Sequence, residues 1–102
     1  MQISETTSGA SARLALNGRF DFHSHRDFRN AYEKLLADAA VPDIEVNFAS
    51  VDYLDSSALG MLLLLREKAE SSGKKVTLSG LKGTVRQVLE IANFGKLFSI
   101  KD

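Results

Sequence analysis

The chain has no cysteine. That excludes a disulfide framework, thiolate metal sites and thiol chemistry. Neither sign of charge prevails, with 13 Lys+Arg against 13 Asp+Glu. No basic run stands out, which argues against a surface that tracks nucleic-acid phosphates. No stretch is apolar for long enough to span a bilayer: the longest run, Ala58 to Leu65, is broken by Gly60. Met1-Gln2-Ile3-Ser4-Glu5-Thr6-Thr7 lacks both the positive and the apolar segments of a signal peptide, so a cytoplasmic location is expected. No repeat, linker or low-complexity tract occurs. His23 and His25 have no third ligand in view and read as solvated loop residues, not a metal site. No metal and no cofactor is expected.

What remains is ordinary globular material: 102 residues, 44% hydrophobic and 25% charged. That fits a single domain over residues 1–102 with one core. Ile3 to Thr7 reads as an edge strand, Ser8-Gly9-Ala10-Ser11 as a turn, and Ala12 to Leu16 as a second strand ending at Asn17-Gly18. Ser24 and Asp27 resemble a capping box. Phe28, Ala31, Tyr32, Leu35, Leu36 and Ala39 then follow at the spacing of an amphipathic helix, which Val41-Pro42 ends. Ile44, Val46 and Phe48 alternate as a strand. A helix from about Ser57 to Ser71 is apolar round much of its circumference, and Gly73 suits its C-cap. Lys75 to Leu78 is a strand. Thr84 with Gln87 suggests a capping box before a helix carrying Val85, Val88, Leu89 and Ala92, and Lys96 to Ile100 a last strand. The order β-β-α-β-α-β-α-β predicts an α/β domain on a mixed, mostly parallel sheet, with helices mainly on one face.

The chain is organised around Val51-Asp52-Tyr53-Leu54-Asp55-Ser56-Ser57-Ala58-Leu59-Gly60, where a strand hands over to a helix. A helix start carries unpartnered N–H groups and a positive dipole end. Asp55, Ser56 and Ser57 can cap it, or a serine there can carry a phosphate. Both readings are open on the residues alone.

The same stretch resembles the signature of the STAS domain, in particular of single-domain anti-sigma factor antagonists, whose loop carries an Asp-Ser-Ser/Thr-Gly-Leu-Gly run. Leu16-Asn17-Gly18-Arg19-Phe20-Asp21 is similar to the family's Gly-x-Leu/Phe-Asp pattern. Gly73-Lys74-Lys75-Val76-Thr77-Leu78 is similar to its helix-glycine-strand step, and Val85, Val88, Leu89 and Asn93-Phe94-Gly95 to its last helix and turn. The resemblance implies a STAS fold and a phospho-switch protein that catalyses nothing. The unphosphorylated form would bind a serine kinase/anti-sigma factor of HATPase type. Phosphorylation of Ser56, with Ser57 as second choice, would release it. A PP2C-type phosphatase, or a response-regulator phosphatase as in members that control biofilm and swarming, would restore it. Asp21, Asp55, Ser56, Ser57, Ala58 and Met61 are the expected partner-binding residues. Ala58 stands where the family usually has glycine, which implies tighter φ/ψ limits there. A monomer is expected, with neither a nucleic-acid nor a membrane partner.

Three other functions compete, one of them a purely structural scaffold module in a larger signalling assembly. A serine nucleophile lacks the Gly-x-Ser-x-Gly setting and a base with its orienter. A small-ligand or nucleotide sensor could use the helix N-terminus after Asp55, but no Walker loop or Gly-x-Gly-x-x-Gly accompanies it.

Overall fold

The computed structural model describes residues 1–101, excepting the side chain of Ser8. Five strands alternate with three helices: β1 (Gln2–Ser8), β2 (Ser11–Phe20), α1 (His25–Leu36), β3 (Asp43–Leu54), α2 (Ser56–Ser71), β4 (Lys75–Ser79), α3 (Gly83–Ile91) and β5 (Ser99–Lys101). Short 3₁₀ turns, Phe22–Ser24 and Phe94–Lys96, precede α1 and β5. The sheet runs β1-β2-β3-β4-β5, with β1 antiparallel to β2 and all other pairs parallel. Each parallel connection steps one strand in the same direction, so right-handed crossovers put the helices on one face. This is the mixed, mostly parallel α/β architecture that the element order predicts.

Side chains divide the two faces cleanly. Leu14, Leu16, Phe20, Ile44, Val46, Phe48 and Leu78 are buried beneath the helices. Phe20, Phe28 and Tyr32 pack ring against ring in tilted and edge-on pairs, at centroid distances of 4.9 and 5.3 Å, and join β2 to α1. The opposite face is polar. There the Glu45 carboxylate accepts from the Ser79 hydroxyl at 2.6 Å and pairs with Arg13 at 2.9 Å and Lys101 at 3.7 Å. Burial would raise the Glu45 pKa. The Ser79 hydrogen bond and the two cations more than offset it and hold the carboxyl below the usual glutamate range.

Several element boundaries differ from the sequence reading. β2 does not stop at Asn17-Gly18 but continues to Phe20. β3 does not stop at Phe48 but runs to Leu54. It carries one extra residue between Asn47 and Ser50, and another, Asp52, between Val51 and Tyr53. Each bulge breaks the two-residue alternation, so the core-facing residues run Ile44, Val46, Phe48, Val51, Leu54. The Ser24–Asp27 capping box does not form: Ser24 makes no side-chain cap to α1 and instead completes a box with Asp21. Nor does Thr84 cap α3, whose N-cap is Lys82. Lys96 belongs to the turn before β5.

α2 is a one-sided helix, not one covered all round. Ala58, Met61, Leu62, Leu65 and Ala69 form its buried stripe, while Leu63 is 40% exposed. Gly73 ends it as expected, at φ +70°, with Lys74 N–H bonded to the Ala69 carbonyl at 2.8 Å and Gly73 N–H to Glu70 at 3.1 Å.

Candidate functional site at the carboxyl ends of the central strands

Crevices in α/β sheets form beyond the carboxyl ends of the strands. In this chain β2 and β3 end together, with Arg19 opposite Tyr53 and Phe20 opposite Leu54. One step further, Asp21 leaves β2 beside Asp55 leaving β3. Adjacent strands lie about 4.8 Å apart, so the register alone makes these two loops neighbours. Phe20 and Leu54 point into the core. By alternation, Arg19 and Tyr53 project to the opposite side, whereas Asp21 and Asp55, just past the strand ends, turn to cap the helical turns that follow them.

Asp55 is the N-cap of α2. Its backbone is extended, and its Oδ1 accepts from Ser57 N–H at 3.0 Å and Ala58 N–H at 3.3 Å. Ser56 is the first helical residue and is exposed. Ser56 thus stands exposed at a helix end capped by Asp55. Ser57 is half-buried. The two amides best placed to hold a free anion are already taken by Asp55, so a non-covalent phosphate ligand would have to displace the cap.

Ala58 and Met61 are buried and pack into the core, so their side chains offer no surface to a partner in this conformation. Ala58 lies in the first turn of α2 with helical geometry. Among the described residues, Asn93 is the one non-glycine with positive φ, so alanine replaces the family's glycine without strain here.

Asp21 caps its own 3₁₀ turn, accepting from His23 N–H at 3.0 Å, while Ser24 Oγ accepts from Asp21 N–H at 3.3 Å and donates to the Arg19 carbonyl at 3.0 Å. This reciprocal box pins the turn beside the Ser56 helix end. It leaves Phe22 71% exposed at the rim. Sequence reasoning overlooked Arg19 and Tyr53. The Arg19 guanidinium carbon lies 3.9 Å from the centre of the Tyr53 ring, and its Nε lies 3.5 Å from Asp21 Oδ2. Tyr53 lies beyond both bulges of β3, where the alternation has been broken and the strand is no longer legible from period two. Among the described residues no group of three or more His, Asp or Glu side chains could hold a metal ion. Nor, among the described residues, is any helix long and apolar enough to cross a membrane.

Comparison with known proteins points one way. Residues 3–99 match the family model "Mlab, STAS domain". A STAS-domain containing protein of Pseudomonas aeruginosa (strain UCBPP-PA14) is 43% identical over 96 residues, covering 93% of this chain and 92% of that protein. The crystal structure of an anti-sigma factor antagonist of Thermotoga maritima superposes with a TM-score of 0.88 at 20% identity, over 98% of this chain and 86% of that one. The Bacillus cell fate determinant SpoIIAA in its phosphorylated form superposes with a TM-score of 0.75 at 20% identity, over 99% and 92%. At such identities the two superpositions establish a shared fold.

Proposed function

The chain belongs to the STAS family, and from that membership we propose that it is a non-enzymatic partner-switching regulator whose switch is Ser56. The unphosphorylated form binds a serine kinase/anti-sigma factor of HATPase type. The kinase moves the terminal phosphoryl group of its nucleotide to Ser56 Oγ, the hydroxyl proton leaves to a kinase base, and the complex dissociates. A PP2C-type or response-regulator phosphatase hydrolyses the ester and regenerates the serine. The chain works in the cytoplasm as a monomer.

One observation carries this reading: Ser56 is exposed on a helix end already closed by Asp55. A phosphate there adds a charge of about −1.5 to −2 and three acceptor oxygens without opening the core. A partner packed over Asp21, Asp55, Ser56 and Ser57 would have to desolvate that charge. A loss of about 3–4 kcal/mol across the interface weakens binding by two to three orders of magnitude. Ala58 and Met61 would serve from beneath, by fixing the helix that carries the serine. Intact-mass analysis with site mapping, on protein expressed in its native host, tests the modification. Ser56→Ala is expected to bind the kinase constitutively and Ser56→Asp poorly, and equal affinities would contradict the switch.

A further inference from the structure

Arg19 has no part in the cycle as stated, yet it stands at the same rim. Its side chain is 62% exposed, stacks over Tyr53 and leans forward along the strand to touch Asp21. Tyr53 and Ser56 are three residues apart, a backbone span of at most about 10 Å. The guanidinium thus already leans towards the end of the sheet at which α2 and Ser56 begin. Its present partners hold it weakly: a 3.5 Å ion pair whose guanidinium is exposed and an exposed cation–π contact both contribute little. A phosphate offers it a stronger, bidentate, doubly charged acceptor. The amides of Ser57 and Ala58 are committed to Asp55, which leaves a phosphate on Ser56 to find its counter-ion among side chains.

We propose that Arg19 is the intramolecular acceptor of the Ser56 phosphate, exchanging Asp21 for the phosphoryl oxygens when Ser56 is modified. The inference rests on Ser56 being the modified residue. It adds a second event to the switch. Asp21 loses its cation at the moment the neighbouring surface gains an anion, so both loops change their charge together.

The test places phosphoserine at position 56 of the full chain by translational incorporation, without any kinase. The second ionisation of the phosphate is then followed by ³¹P NMR against pH. In Arg19→Gln the midpoint is expected about half a pH unit above that of the unsubstituted chain, because an opposite charge favours the dianion. Arg19→Lys is expected to restore part of the difference. Lys82→Gln removes one positive charge from the same end of the sheet and is expected to leave the midpoint in place. Asp55, Asp21 and His23 are unchanged in every variant, so differences report position 19. Equal midpoints in Arg19→Gln and the unsubstituted chain would overturn the proposal, as would an equal shift in Lys82→Gln. Position 19 is exposed, and far-UV circular dichroism verifies that each variant is folded. Failure to find phosphate on Ser56 in the native host would instead overturn the proposed cycle and leave this measurement standing by itself.

Discussion

Asp55 is both the cap of α2 and the residue before the proposed switch, and substitution can separate the two roles. Asp55→Ala removes the acceptor of the Ser57 and Ala58 amides, held at 3.0 and 3.3 Å. Losing an N-cap of this kind costs about 0.5–2 kcal/mol. The negative charge beside the helix dipole contributes about 0.3–1 kcal/mol of that. For a domain of this size each kcal/mol lowers the melting temperature by about 4–8 °C. Asp55→Asn keeps a capping oxygen and gives up only the charge, so it is expected to retain roughly half of the stability lost by the alanine variant. Thermal and urea unfolding followed by far-UV circular dichroism measure both. An alanine variant as stable as the parent, or an asparagine variant as damaged as the alanine one, would refute the capping argument. Phosphorylation of the folded asparagine variant then asks the second question. If the carboxylate helps the kinase position its nucleotide-bound metal, Asp55→Asn folds normally but accepts phosphate poorly.

Two glycines should respond in opposite directions. Gly80 lies at φ +69°, and a Cβ there would stand 2.8 Å from the Ala49 backbone nitrogen. Gly80→Ala is therefore expected to destabilise the fold by about 1–3 kcal/mol, read as the urea midpoint. Gly60 lies inside α2 with nothing within 4 Å of an added Cβ. Gly60→Ala should stabilise by about 0.5–1 kcal/mol in the same assay. Glu45 gives a pH signature. Its folded pKa is depressed, so its contribution is complete above the unfolded value of about 4.3 and is lost as pH falls through the folded value. Urea titrations between about pH 5 and 2 should show a shallower loss of stability in Glu45→Gln than in the parent.

The sequence made α1 plain because Phe28, Tyr32 and Leu35 recur at helical spacing and are buried as that spacing requires. The start of α2 was legible too, since Asp55 and two serines precede an apolar run. The far half of β3 was not. Ala49, Ser50 and Asp52 interrupt the alternation, and only pairing with β2 shows that the strand continues. Caps were read wrongly where two candidates lay close together: Ser24 completes the turn begun by Asp21 instead of starting α1. The four leucines at 62–65 hid which face of α2 is covered, because composition there is uniform and only packing distinguishes Leu62 from Leu63. The partnership of Arg19 with Tyr53 depends on strand registration, which no local pattern encodes.

The two irregularities of β3 matter as a pair. Each advances the strand by one residue and reverses which way the next side chain faces. Together they cancel, so Leu54 again meets the core and Asp55 again emerges at the helix mouth. Excising a single residue there would turn Leu54 out into water and drive the carboxylate inward. Natural variation in this strand should therefore come in even steps, or not at all.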